Sequence, residues 1–397
     1  MTDFATTKSL FELPEGIIYL DGNSLGPPPK AVAQRLSDVL RHEWGRMLIT
    51  GWNGAGWMAQ PSYVGDRIAR LIGATPGHVM VGDTLSVQVY QALAAALGMR
   101  PGRKVILSDS GNFPSDLYIA EGLINTLDRD YELRVVAPQD IEAQITSEVA
   151  VALLTEVDYR SARMHDMQRV TEKAHAVGAL TIWDLAHSAG AIEVDLSKAK
   201  ADFAVGCTYK YLNGGPGAPG FVYVAPPHIE TVQPALTGWL GHAAPFAFEP
   251  SYRAGTGIER MRVGTPPVLA LAALEAALDI WDHTSMADVR ACSIALTEQF
   301  ITELEARCPM LQLASPRDPM QRGSQVSFQF DQGYAAIQAC IAGGVIGDFR
   351  APDLMRFGFT PLYIDAGDVT AAVEIIAEVM VHRLWDLDAF KARAHVT

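Results

Sequence analysis

Between Leu180 and Gly220 the sequence sets an acid and a lysine at the ends of two short apolar runs. Leu180 to Trp183 reads as a strand that stops on Asp184, with His187 three residues further on. Phe203 to Val205 is a second such run and leads into Cys207, Thr208, Tyr209 and Lys210. A loop of glycines and prolines then precedes another strand, Phe221 to Val224. Ligands in open α/β sheets sit at the carboxyl ends of strands. A lysine there can form a Schiff base with an aldehyde, and a carboxylate can keep a pyridine nitrogen protonated so that the ring accepts electrons. Those are the requirements of a pyridoxal phosphate site. The same residues also fit a surface lysine beside a buried turn, and this stretch alone does not separate the two.

Other stretches add parts of the same kind. Thr84 to Leu97 is an Ala-rich helical run whose first turn, with Leu85 and Ser86, offers unpaired N–H groups and a hydroxyl to a phosphate; an ordinary Thr cap fits equally. The strand Lys104 to Leu107 runs into Ser108–Asp116, where Phe113 is placed to lie flat on a ring. Asp21–Pro29 is a tight loop before a helix start near Lys30. Gly51–Trp57 is too rich in glycine for a helix interior, and its tryptophans serve either as core plugs or as a wall against an aromatic ligand. Trp239, flanked by glycines, suits an interface or ligand loop, or simple packing. Arg356 lies in an apolar, strand-like run and needs an anion, because burying it unpaired costs several kcal/mol. That anion is a substrate carboxylate or a fixed carboxylate of the protein.

These residues need elements to hold them. From Arg103 short apolar strands alternate with helical segments, which indicates a mainly parallel sheet covered on both faces. After a strongly apolar helix, Val268 to Trp281, the chain mixes helix and strand as a smaller α+β unit would. The division expected is residues 1–50 as an N-terminal segment packing with the small domain, 51–282 as the large cofactor-binding domain and 283–397 as the small C-terminal domain. The chain has 397 residues, enough for such a core. Its 31 Lys+Arg against 45 Asp+Glu give a net charge of -14, which argues against nucleic acid or an anionic membrane as partner. Four scattered cysteines without a CxxC pair indicate neither metal cluster nor disulfide framework. No apolar signal core and no run near the roughly 18 apolar residues of a span is present, so a cytoplasmic protein is expected. No GxGxxG follows the first sheet strand, which excludes a dinucleotide-binding dehydrogenase.

Taken together, the motifs Asp21-Gly22-Asn23-Ser24-Leu25-Gly26, Gly111–Asp116, Trp183–Gly190, Thr208–Gly217 and Arg356 with Pro361-Leu362-Tyr363 resemble the kynureninase family. That family belongs to the aspartate-aminotransferase-like pyridoxal phosphate enzymes of fold type I. The resemblance runs from about Tyr19 to Tyr363. It implies a large domain with a seven-stranded-type, mainly parallel sheet between helices, plus the smaller α+β domain. It further implies hydrolytic Cβ–Cγ cleavage of L-kynurenine, or of 3-hydroxy-L-kynurenine, to anthranilate (or its 3-hydroxy form) and L-alanine in tryptophan degradation. Carried over by residue, it implies that Leu85 and Ser86 meet the cofactor phosphate, with Asp116 near that network. Phe113 stacks on the ring, Thr155 lies beside it, Asp184 pairs with its nitrogen and His187 sits at its polar edge. Lys210 carries the cofactor, and Tyr209 reaches the phosphate and donates a proton. Trp239 and Thr265 reach across a homodimer interface. Asn23, Ser24, Trp52 and Asn53 line the substrate side, where Arg356 holds the α-carboxylate through a bidentate pair. Thr265 stands where some relatives carry Asn, and the Asn53 loop lacks a histidine found in some members. Both departures bear on the choice between the two substrates. A cysteine desulfurase or aminotransferase on the same scaffold, or a cofactor-binding relative without catalysis, is the alternative. A desulfurase requires a nucleophilic cysteine in a mobile loop, whereas Cys207 reads as a core-facing strand end.

Overall fold

A computed structural model describes residues 1–127 and 130–392. A short strand, β1 (Ile18–Tyr19), is followed by the strands of the main sheet: β2 (Val79–Val81), β3 (Val105–Asp109), β4 (Glu132–Val136), β5 (Val149–Thr155), β6 (Leu180–Asp184), β7 (Phe203–Gly206) and β8 (Phe221–Val224). Their order is β2-β8-β7-β6-β5-β3-β4, and only β8 runs against the rest. Every residue of β3, β5, β6, β7 and β8 is buried. Such near-continuous apolar runs are what a sheet covered by helices on both faces demands. The parallel register pairs Thr155 with Asp184 and Asp184 with Val205. The loops leaving β5, β6 and β7 therefore open at one common edge, which brings the acid and the lysine together.

The second unit holds β9 (Gln312–Leu313), β10 (Gln325–Gln329), β11 (Val345–Ile346), β12 (Asp348–Arg350) and β13 (Leu354–Gly358). Four of these form an antiparallel sheet in the order β12-β13-β10-β9. β11 instead pairs in parallel with β1, so the N-terminal segment is built onto the C-terminal unit. Three helices pack on the unit, Met286–Arg307 capped by Ser285, Gly333–Ala342, and Ala366–Val381 closed by a capping box of Asp365 and Asp368. Phe300 on the first of them is fully buried, with ring centroids of Phe328, Phe357 and Phe359 at 6.2, 5.1 and 5.0 Å.

The structure departs from the sequence reading in three places. Residues 4–9, for which the sequence reading gave no element, form a helix because Asp3 caps it, accepting from the backbone N–H groups of Ala5 and Thr6. Gly51–Gly54 is a short helix despite its glycines. Gly51 lies so close to the Trp57 ring that a Cβ there would be 2.6 Å from it, so packing overrides propensity. Pro114–Leu127 is a full helix that the motif-bearing loop before it had obscured. Replacing Phe300 by Ala should lower unfolding free energy by about 3–5 kcal/mol. Chemical denaturation would measure this, and a loss below about 1 kcal/mol would remove the aromatic cluster from the core.

Candidate active site

Asp184 closes β6 and is buried, and the one hydrogen bond to its carboxylate among the described residues is Oδ1 accepting from Ala186 N–H at 2.9 Å. Burial pushes its carboxyl up to about 6, against the pull of the nearby Lys210 charge. Lys210, two elements later on the loop after β7, points its Nζ to His187 Nε2 at 3.0 Å. Burial first, then Lys210, Arg356 and Arg350, hold His187 well below the usual imidazole range. The ring is therefore neutral, Nε2 accepts from the lysine, and Nδ1 is buried without a partner. Asp116 is also buried, with Oδ2 unpartnered. Burial and Asp184 push its carboxyl up while Lys210 pulls it down, so it faces those two residues and not only a phosphate. Thr155 ends β5 beside Asp184, its hydroxyl donating to Val157 O at 3.2 Å.

Two helix starts converge beside these groups. The helix Leu85–Gly98 is capped by Thr84, and Pro114–Leu127 begins directly after Phe113. Ser86 Oγ and Ser115 Oγ are 3.2 Å apart, so two hydroxyls and two sets of unpaired N–H groups meet at one point. Gly220, at the end of the lysine loop, lies beneath this point, where a Cβ would be 2.8 Å from Leu85 N. Phe113 is 42% exposed, touches Tyr159 edge to face at 5.1 Å and has Lys210 Nζ 6.0 Å from its ring centroid. Tyr209 is half-buried, and burial together with Cys207 raises its hydroxyl further above neutrality, so it stays an O–H donor. The donor set fits pyridoxal phosphate. It combines an amine beside a flat exposed ring, a buried acid lacking a cation, an unpartnered imidazole N–H and an anion cradle at two helix starts.

The N-terminal loop packs against the lysine. Gly26 N–H donates to Tyr209 O at 2.8 Å, and a Cβ on Gly26 would lie 2.2 Å from Lys210 O. Only a glycine lets this loop touch the lysine's own backbone. Asn23 is fully buried, with both side-chain polar atoms unpartnered. Ser24 Oγ donates to Asp348 Oδ2 at 2.7 Å and accepts from Arg356 Nη2 at 3.2 Å. Arg356 requires one correction. Its Nε donates to Asp348 Oδ1 at 2.6 Å, Nη2 donates to Asp348 Oδ2 and Nη1 donates to Tyr159 O. The fixed carboxylate partner is therefore present in the protein and takes the Nε–Nη2 edge of the guanidinium. Arg350, partly exposed, shares Asp348 at 2.8 Å. Asp21 stands nearby, pushed up to about 7 by burial and by Asp348. Asp348, Arg350 and Asp21 were not singled out as site residues; an Asp and an Arg two apart at Asp348 and Arg350, in apolar surroundings, were the available signal.

Four expected residues stand apart in a single chain. Trp52 stacks edge to face on Trp57 at 5.6 Å, and Trp57 Nε1 donates to Glu43 at 2.8 Å, so Trp57 is a core plug. Asn53 is exposed. Trp239 is 41% exposed and Thr265 is exposed. The Trp239 and Thr265 loops are tied to each other, Leu240 N–H to Val263 O at 3.4 Å. Among the described residues no hydrogen bond or ring contact joins these four to Lys210 or Asp184. Cys207 is buried, its Sγ 3.8 Å from Ala186 O and its thiol pushed up by burial, the reverse of what a nucleophile needs.

Similarity to known proteins decides the family. A kynureninase from Burkholderia pseudomallei (strain 1106a) is 50% identical, over 99% of this chain and 96% of that protein. The kynureninase of Pseudomonas fluorescens is 49% identical over the same shares. The chain belongs to the kynureninase family. The family model for the kynureninase C-terminal domain matches residues 289–376. Among solved structures, a cysteine desulfurase from Thermococcus onnurineus NA1 aligns with TM-score 0.80 at 18% identity, covering 95% of this chain and 98% of that one. A C-DES variant with glycine covalently linked to its PLP cofactor aligns with TM-score 0.78 at 15% identity, covering 95% of this chain and all of that one. At that identity these two structures speak for the fold alone, the large and small units of the fold type I pyridoxal phosphate enzymes, as the sequence implied.

Gly220 offers a direct test of the anion cradle. Gly220→Ala should displace the start of the Leu85 helix and weaken pyridoxal phosphate binding by about tenfold, a loss of about 1.4 kcal/mol. Cofactor titration followed by absorbance measures it, and unchanged affinity would place the phosphate elsewhere.

Proposed function

We propose that the chain hydrolyses the Cβ–Cγ bond of L-kynurenine, or of its 3-hydroxy form, to an anthranilate and L-alanine. The observation that carries this reading is Lys210 Nζ set 3.0 Å from the neutral His187 near the buried Asp184, in a chain half identical to kynureninases over its full length. Lys210 would hold the cofactor's aldehyde carbon, Asp184 its ring nitrogen, and the Ser86–Ser115 point its phosphate. When bound, pyridoxal phosphate supplies an electron sink conjugated to the substrate's α-carbon.

The chain's own groups do the rest. The Lys210 amine is the base placed to take the α-proton, and His187, as a neutral acceptor, keeps that amine oriented. Water adds to the γ-carbonyl carbon, the Cβ–Cγ bond breaks, and the acyl fragment leaves as the aromatic acid. Tyr209, held as O–H by burial, donates the proton that Cβ receives in alanine. Arg356 is fixed by Asp348 and Ser24, and so it fixes the position of positive charge for the α-carboxylate. Asn23 and the partly exposed Arg350 are the donors left to complete that contact. Rigid placement of this kind matters because misorientation by about 1 Å can cost roughly a hundredfold.

A homodimer completes the reading. Trp44, Leu48, Ile49 and Leu269 are exposed large apolar residues, as are Phe246 and Phe248 beside Trp239. An apolar surface of this extent is typical of an interface. It supports Trp239 and Thr265 serving a partner's site. The four cysteines are free, and no described helix is long and apolar enough to cross a membrane, which supports a reducing, cytoplasmic setting.

Two tests follow. Lys210→Ala should abolish the near-visible absorbance of the loaded enzyme and lower kcat by at least about a thousandfold, measured by anthranilate fluorescence and alanine release with each substrate. Release of neither product by the parent enzyme would remove the reading. The second test uses pH. Asp184 is raised to about 6, and Asp21 and Glu156 to about 7. A carboxyl raised above its unfolded value of about 4 stabilises the folded state most at low pH and loses that contribution as pH climbs to the folded value. Cofactor-free protein should therefore lose Tm between about pH 5 and pH 7. Cofactor should flatten this slope by giving Asp184 a cationic partner, and scanning calorimetry at several pH values would compare the two.

A further inference from the structure

At the edge of the main sheet opposite Asp184 lies a cavity of about 650 Å³. Leu180, the first residue of β6, lines it, whereas Asp184 is the last. At about 3.3 Å per residue the two ends of this strand are about 13 Å apart. The cavity is therefore separate from the site described above, and no role for it follows from cleavage chemistry.

Its centre is Asp202, buried, which accepts from His175 Nε2 at 2.9 Å, His228 Nε2 at 2.7 Å and Thr181 N–H at 2.9 Å. Burial alone would raise this carboxyl, but the hydrogen bonds from His228 and His175 outweigh it and hold it low. The negative charge is thus fully used inside the protein. His228 is fixed a second time by stacking on Phe203, 6.0 Å between centroids at 13°. Nδ1 of both histidines has no hydrogen-bond partner among the described residues, and neither has the hydroxyl of Tyr223, which also lines the cavity.

Two cations share the space without a carboxylate of their own. Arg100 spends Nε on Gly178 O at 2.8 Å and Nη1 on Met99 O at 3.0 Å, so Nη2 is left and no ion pair forms among the described residues. Lys200 is exposed at the rim and has no described ion-pair partner. Asp202 is the only acid in the lining. The hollow thus brings together two cations without an ion pair and one acid whose charge is already engaged by two histidines. Leu180, Leu196, Tyr223 and Pro227 supply the apolar walls. A hollow of a few hundred Å³ with apolar walls and a few fixed polar groups is the usual form of a small-molecule site.

We propose that this cavity binds an aromatic carboxylate, its ring against the apolar wall and its charge between Arg100 and Lys200. The probe is benzoate, titrated calorimetrically into the cofactor-loaded enzyme, with inorganic phosphate as the charge-only comparison. Lys200→Glu reverses the charge at an exposed position, and Thr75→Trp fills the mouth of the cavity from another exposed position. Each should weaken benzoate binding at least tenfold while kcat/KM for the cleavage reaction stays within twofold of the parent. Phosphate should bind at least tenfold more weakly than benzoate, and benzoate should shift the imidazole C–H resonances of His175 and His228. No binding at millimolar benzoate, or an affinity that changes less than twofold in both variants, would overturn the proposal. So would phosphate binding as tightly as benzoate, because the apolar wall would then play no part.

Discussion

Asp184 is a carboxylate buried at the end of a parallel strand, and its single local donor does not offset the loss of water. An unpaired buried charge of this kind costs several kcal/mol, so the group either takes up a proton or finds a cation. Around it stand Asp116, likewise raised by burial, and Lys210, the nearest positive charge. With the solvent removed from this cluster, Asp184 is suited to a cationic ring nitrogen as its partner. A cationic ring bound there would offset the folding cost of burying it.

The same constraint explains the rest of the site. His187 cannot also be charged next to Lys210 and two guanidiniums, so it serves as an acceptor for the amine. Arg356 cannot be buried alone, so Asp348 and Ser24 hold it whether or not a substrate is bound. That leaves the region around Arg356 preorganised, with little side-chain freedom to lose if a ligand binds there. The N-terminal loop is part of this arrangement. Gly26 touches the backbone of Tyr209 and Lys210, while Asn23 and Ser24 meet the strand of Arg356. One segment thus spans from the lysine to the arginine, and β1 anchors it to the second unit through β11. A shift of that unit would move Arg356 relative to Lys210.

Much of this was legible in the residues. Apolar runs ending on Asp184 and leading to Lys210 marked two strands and their functional ends, because a sheet covered on both faces leaves polar groups only where strands stop. The Thr84 cap and the Ala-rich run after it marked the helix start that meets Ser115. The motifs around Phe113, Asp184 and Lys210 were sufficient for the resemblance to a family, because the cofactor's chemistry admits few residue types at those points.

What only the tertiary structure decided were the partners. Asp348 on Arg356, His187 on Lys210 and Ser86 against Ser115 join residues separated in sequence by 8, 23 and 29 positions. Asp202 between two histidines is a further case that no local pattern marked. A side chain's own neighbours in the chain set its helix or strand, but its charge balance depends on which other elements pack against it. Sequence alone therefore determined that Arg356 needed an anion and that Asp184 needed a cation. The fold determined that the first need is met inside the protein, by Asp348, while the Asp184 carboxylate keeps only the Ala186 N–H among the described residues.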